Sequence, residues 1–180
     1  VLVDGEPGFT QIKMENAIAQ GEQIAHFDFY FSNGANIGTA KSSAPDAGLN
    51  WNHVFNPVVT DIFPESIPAH DSAFSTVMNW QSHDPISYKN ISYGQKDIEF
   101  NKFLSLPGMI KSKIEIAAAG NVPVEQLNKH GWAVRDAHAI TSSFDGYRSY
   151  IEQSLGEFSV CKNIFVETHS GWFSDRSAAY

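Results

Sequence analysis

From residue 73 onward, short apolar runs alternate with stretches of helical periodicity. The run at 73–78 predicts a strand that ends at Asn79-Trp80, and the turn-rich stretch 82–94 predicts a loop or hairpin. Ile98, Phe103 and Leu106 then fall near helical spacing until Pro107-Gly108 stops the pattern. Residues 113–119 predict the next strand, ended by Gly120-Asn121. Pro123 suits the first turn of a short helix that Gly131 closes, and 132–137 predict a third strand. Ser143 is placed to cap a helix in which Phe144, Tyr147, Ile151 and Leu155 recur at three- and four-residue steps, with Gly156 ending it. Residues 157–160 predict a brief fourth strand, and 162–166 either extend it or form the loop beyond it. A last helix begins near Ser174.

Strand–helix alternation with short turns implies parallel strands joined by right-handed crossovers. The expected fold is therefore α/β, a doubly wound parallel sheet over 73–180, with part of a preceding α/β domain over 1–72. In such sheets ligands bind outside the carboxyl ends of the strands, here Asn79-Trp80, 119–121, 136–138 and 162–174. The first 72 residues are less regular. Residues 1–3, 26–31 and 57–62 predict strands. Gly5-Glu6-Pro7-Gly8 and Gly34-Ala35-Asn36-Ile37-Gly38 predict turns, 41–56 a long loop, and 64–71 a link between the two regions. The chain opens as a strand already under way and closes, over 175–180, as a helix still running, so we expect a piece of a longer protein.

Composition narrows the classes. Of 180 residues, 42% are hydrophobic and 13% aromatic, enough for a packed core. The formal net charge of -8 argues against broad nucleic-acid binding, which needs a lysine- or arginine-rich footprint, but it leaves room for a local anion site. One cysteine, Cys161, suits a reducing compartment, and we expect a cytoplasmic protein without a membrane span.

Among residues that could carry chemistry, Ser170-Gly171-Trp172-Phe173-Ser174-Asp175-Arg176 stands out. Ser174 is a helix N-cap candidate, and helix starts attract anions. Arg176 could add a bidentate phosphate contact and Lys162 a second cation. The alternative is that Asp175 and Arg176 only cap the helix and pair at the surface. Asp4-Gly5-Glu6 reads either as a metal-binding acidic pair or as turn chemistry. His138 and His169 lie near strand ends, as general bases or as surface residues, and Cys161 reads as a small core residue rather than a nucleophile. The histidines show no zinc-ligand spacing, and we expect no bound metal. G-x-S-x-G, P-loop and G-x-G-x-x-G motifs are absent from the sequence.

Longer runs carry a resemblance. Asp4-Gly5-Glu6-Pro7-Gly8-Phe9-Thr10-Gln11, Gly34-Ala35-Asn36-Ile37-Gly38, Val77-Met78-Asn79-Trp80, Tyr93-Gly94-Gln95-Lys96-Asp97-Ile98-Glu99-Phe100, Gly156-Glu157-Phe158-Ser159-Val160-Cys161-Lys162-Asn163 and Ser170-Gly171-Trp172-Phe173-Ser174-Asp175-Arg176-Ser177 resemble a group of bacterial proteins labelled predicted glycosyltransferases, of the two-Rossmann-domain (GT-B) class. The resemblance implies that 1–72 belong to an acceptor-side domain and 73–180 to a Rossmann-like donor-side domain. It implies a nucleotide-sugar donor, a glycan or other acceptor, and no cofactor or metal. Asn79, Lys162, Ser170, Ser174, Asp175 and Arg176 would meet the donor and its phosphates, with Lys96 a further candidate. Retaining members of the class often carry two glutamates eight residues apart; the matching places fall near Gly171 and Ala179, neither acidic, so Asp175 and Arg176 would stand in for those contacts. The resemblance implies glycosyl transfer. A non-catalytic nucleotide- or glycan-binding module and a nucleotide-sugar epimerase or hydrolase are the alternatives. A fragment of such an enzyme would be inactive alone.

Overall fold

A computed structural model describes every residue from Val1 to Tyr180. The protein is α/β with two parallel sheets and divides into two compact units that interleave along the chain. The first comprises Val1–Asn56, His83–Gln95 and Cys161–Ser174; the second comprises Pro57–Ser82, Lys96–Val160 and Asp175–Tyr180. This division differs from the split near residue 72 read from sequence, because two later segments belong with the first 56 residues.

The first unit is built on a three-stranded parallel sheet of β1 (Leu2–Asp4), β2 (Tyr30–Ser32) and β3 (Trp51–His53), in that order. Helix α1 (Phe9–Ala19) connects β1 to β2. An antiparallel hairpin of β5 (Ile86–Tyr88) and β6 (Ile91–Tyr93) and helix α6 (Asn163–Glu167) complete the unit. Its core gathers Ile12 from α1, Tyr93 from the hairpin, and Ile164 and Phe165 from α6.

Residues 5–8 form the turn expected and lead directly into α1, whose start rests on unusual chemistry. Gly8 sits at φ 87° before the first turn, and a Cβ there would lie 2.8 Å from Thr168 Oγ1. Its N–H donates to Gln11 Oε1 at 2.6 Å, so the cap runs backward from the third helical residue. The third strand is β3, inside the stretch read as a loop, and 57–62 form no strand. Residues 162–166 extend no strand; they enter α6.

Asp4 ties these pieces together. Its carboxylate is 3% exposed. Oδ1 accepts from Glu6 N–H (2.8 Å) and Thr10 Oγ1 (2.6 Å), and Oδ2 accepts from Gln11 Nε2 and Ser32 Oγ, both at 2.9 Å. One side chain thus fixes the turn after β1, the first turn of α1 and the end of β2.

The second unit carries a four-stranded parallel sheet in the order β8 (Ala133–Asp136), β7 (Ile114–Ala119), β4 (Phe74–Asn79), β9 (Gly156–Glu157). The strands expected at 73–78, 113–119 and 132–137 are present to within a residue or so. The fourth is only two residues long, and the Gly156 expected to end a helix instead opens it. Helices α2 (Lys96–Phe100), α3 (Val124–Lys129), α4 (Ala137–Thr141), α5 (Phe144–Glu152) and α7 (Asp175–Ala179) flank the sheet in sequence. Ser143 caps α5 as expected, its Oγ accepting from Gly146 N–H at 3.0 Å.

Strand alternation supplies both faces of this sheet. Ile114, Ile116 and Ala118 of β7 enter a core with Met78, Trp80, Phe100, Leu127 and Trp132. Ala117 and Ala119 point the other way, toward Ala137, Ile140 and Tyr150. Phe100 is fully buried, with Trp80 and Trp132 rings 5.0 and 4.7 Å away. On the second face Ser75 Oγ contacts Ser154 Oγ at 2.5 Å and Tyr180 OH at 2.7 Å. Burial raises the phenols of Tyr147, to about 12, and of Tyr150 and Tyr180. No helix is long and apolar enough to cross a membrane.

Two outcomes follow. Asp4→Ala strands the buried donors of Gln11 and Ser32; at about 1–3 kcal/mol each, urea unfolding should show a loss of about 4 kcal/mol. The tyrosines titrate near 10 when unfolded and higher when folded, so stability is intact below pH 10 and is lost as pH rises through the folded values. Circular dichroism across alkaline pH should show unfolding that begins above about pH 10.

Candidate functional site

The turn after β1 in the first unit holds a group of three ionisable side chains in contact, Glu6, His83 and Lys162. Lys162, the residue before α6, is buried, its side chain 9% exposed. Its ammonium lies 2.6 and 2.7 Å from the two carboxylate oxygens of Glu6 and 3.3 Å from Nε2 of His83. Glu6 Oε1 and His83 Nε2 are 3.7 Å apart. Aromatic rings form the surroundings: Phe165 has its centroid 5.6 Å from the Lys162 ammonium, and Phe9 lies 4.9 Å from the His83 ring. The side chains of Glu6 and His83 are more than a third exposed, so the cluster opens to solvent on their side.

Local structure explains the placement. The Asp4 carboxylate holds the Glu6 N–H, which fixes the backbone of the turn and directs Glu6 away from the sheet. On the other side, Asn163 Oδ1 accepts from Gly94 N–H at 2.9 Å and Asn163 N–H donates to Gln95 O, pinning the start of α6 to the segment after the hairpin. The acidic pair Asp4 and Glu6 is therefore spoken for: Asp4 by four donors, Glu6 by Lys162.

Ser170 also belongs to the first unit. Its carbonyl accepts from Asn36 N–H at 3.0 Å and would lie 2.9 Å from a Cβ on Gly34, so the 34–38 turn packs directly on its backbone. Its hydroxyl is buried without a hydrogen-bond partner. His169 is exposed with φ 50°, and its carbonyl accepts from Asn36 Nδ2. Ser174 is 1% exposed.

In the second unit, Asp175 and Arg176 open α7, a helix of one turn. The Arg176 guanidinium faces inward. Nε pairs with Glu157 Oε1, NH1 donates to Val77 O at 2.8 Å and NH2 to Ser159 Oγ at 2.8 Å. Strands β4 and β9 pair only at Phe74–Gly156 and Ser75–Glu157, so Arg176 takes over where backbone pairing stops. It bridges the diverging strands and satisfies a β4 carbonyl. Arg176 pairs with neighbours, but in the interior rather than at the surface, its side chain 12% exposed.

Asn79 is the exposed last residue of β4 and lies opposite Ala119. Lys96 begins α2 and is buried. A cleft of about 450 Å³ opens at the carboxyl ends of β7 and β8, where Ala118, Ala119, Gly120, Val134, Asp136 and His138 line it. Asp136 also caps α4, accepting from His138 N–H at 2.9 Å. Another cavity, of about 380 Å³, lies at the opposite, amino-terminal end of β9 beside Gly156, Glu152 and Tyr180.

The expected site residues thus fall into two groups, Lys162, Ser170 and Ser174 in the first unit and Asn79, Asp175 and Arg176 in the second. Sequence reasoning named both cations but missed their partners. Glu6 is 156 positions from Lys162, and no local spacing points to that pair. Glu157 lies nearer Arg176, 19 positions away, inside a run read only as a strand.

Comparison with protein-family models, curated proteins and solved structures gives no match.

Arg176→Met leaves Glu157, 9% exposed, as a buried carboxylate without its cation. Breaking such a pair from one side destabilises by about 3–5 kcal/mol, whereas replacing both partners with apolar groups recovers much of it. Chemical denaturation of R176M and of the double variant R176M/E157L should show this large loss and partial recovery.

Proposed function

We propose that the chain is part of a glycosyltransferase-like protein whose second unit is Rossmann-like and binds a nucleotide-sugar at the carboxyl ends of its strands. The single observation that supports this reading most is strand order. Taken in sequence as first to fourth, β4, β7, β8 and β9 lie in the sheet as third, second, first, fourth. The order reverses between β4 and β9, and open α/β sheets bind ligands beside such a reversal. The resemblance of the Val77–Asn79 and Gly156–Lys162 runs to GT-B glycosyltransferases bears on the same two strand ends.

In this reading Asn79 contributes to donor positioning from the end of β4. Arg176 holds the strands beside the reversal in register rather than meeting phosphate. The chemical work of such a protein is electrostatic stabilisation of a leaving diphosphate.

A second reading, a nucleotide- or glycan-binding module without catalysis, is favoured by one observation. Both candidate cations are already bound to carboxylates, Lys162 to Glu6 and Arg176 to Glu157.

Hydrogen exchange with uridine, guanosine and adenosine diphosphates tests the binding step. One of them should protect amides at 79–81 and 158–160, at the two strand ends beside the reversal. Unchanged exchange with all three would remove the nucleotide-sugar reading. Turnover of a nucleotide-sugar by a chain carrying these residues would then separate enzyme from module.

A further inference from the structure

We infer that the second unit holds a binding site for a small neutral polyol on the α5 side of its sheet, at the amino-terminal ends of β4 and β7. The site lies at the opposite end of the strands from the reversal discussed above and does not depend on a nucleotide-sugar binding there.

Strand register supplies the first observation. Partners in a parallel sheet share a face, so Glu115, Ser75 and Glu157 stand side by side on β7, β4 and β9, opposite the aromatic core. A parallel sheet under helices ordinarily presents aliphatic side chains there, as Val77, Ala117 and Ala119 do one step further along. The row is largely enclosed: Ser75 is 2% exposed, and the side chains of Glu115 and Glu157 are 17% and 9% exposed. Each carboxylate carries a desolvation cost that an aliphatic residue would avoid. Such a departure from the local pattern marks function or strain.

The two ends of the row differ. Arg176, on Glu157, is also held by Val77 O and Ser159 Oγ, so that end is structural. Arg135, on Glu115, is 60% exposed and engaged only through Nε, at 3.0 Å from Oε2. Its two terminal nitrogens remain open to a guest.

A cavity of about 140 Å³ lies at this second end, lined by Ser75, Glu115, Arg135, Tyr150, Gln153 and Ser154, with Ala73 the one apolar contributor. The Tyr150 hydroxyl is its unmet group. It lies beside Glu115 and Ser75 yet is buried without a hydrogen-bond partner. Ser75 is already engaged by Ser154 Oγ and Tyr180 OH. Burial, with the Glu115 charge, raises the phenol and keeps it a donor.

The lining selects the ligand class. Glu115 and Arg135 offset each other, so a charged guest gains from one and loses to the other. A hydroxyl both donates and accepts. Two adjacent hydroxyls can donate to Glu115 and accept from Arg135, while a third oxygen accepts from Tyr150. The Tyr150 hydroxyl therefore serves the guest rather than the fold.

The test is titration of the isotope-labelled chain with glycerol, xylitol and myo-inositol, and separately with sodium acetate, followed by amide shifts in NMR spectra. Wild type, Tyr150→Phe and Gln153→Trp are compared, with melting temperatures recorded for the free proteins. At least one polyol, and not acetate, should give saturable shifts at 73–75, 115 and 153–154. Y150F should weaken binding about tenfold, the loss of one hydrogen bond, while its own melting temperature stays level or rises. Q153W, at an exposed position, should block the cavity and abolish the shifts. No saturable shifts with any polyol, acetate binding in their place, or equal polyol binding by Y150F would each overturn the site. A lower melting temperature of free Y150F would assign the hydroxyl to the fold and overturn its role toward the guest. If Y150F does not fold, Q153W decides alone, and unchanged polyol shifts in it refute the site.

Discussion

The carboxylate of Asp4 stands where the first strand, the turn after it, the first helix and the end of the second strand all need an acceptor. A buried charge is tolerated only when its lone pairs are filled, and here four donors fill them. That constraint travels outward. Because Asp4 holds Glu6 N–H, the turn has one conformation, and because the turn has one conformation, Glu6 meets Lys162. The Gly8 cap depends on it as well, since Gln11 uses its amide nitrogen on Asp4 and its oxygen on Gly8. The polar cluster at the carboxyl end of β1 is thus a downstream product of one buried side chain.

The second unit solves a different problem. A parallel sheet is apolar on both faces, and its strands must be covered twice. Strand β7 meets this by facing both ways: Ile114, Ile116 and Ala118 enter the aromatic core, and Ala117 and Ala119 meet α4 and Tyr150. The fourth strand pairs with β4 over two residues only. Beyond that point the side chain of Arg176 does what a longer strand would have done with its backbone.

Most of the second unit was legible in the sequence because its signals are local. Apolar runs of strand length, Gly120, Gly131 and the Ser143 cap each act within a few residues. The first unit was less legible. Helix α1 begins at a glycine rather than at a serine, threonine or aspartate, and only Gln11 and Ile12 of it are buried, so it shows little amphipathic stripe. Strand β3 is three residues long, with Asn52 and His53 exposed, and lies inside a polar stretch. Residues 57–62 have the apolar residues of a strand without forming one. The candidate cations were nameable from their places after strands. Their carboxylate partners were not, because the contact between Glu6 and Lys162 is made by the fold and not by spacing.

The interleaving of the two units bears on how the chain is made. Domains tend to fold as they emerge, the earliest part first. Here the unit that begins at Val1 cannot be finished early, because its core needs Ile164 and Phe165 and its 34–38 turn packs on the backbone of Ser170. Nearly the whole described chain must leave the ribosome before the first unit closes. Until then Ile12 and Phe9 have no partners from α6, and the Asp4 turn holds Glu6 without its lysine. The segment Cys161–Ser174 acts as a late-arriving clasp, so a truncation just before it would leave the earliest-made unit open.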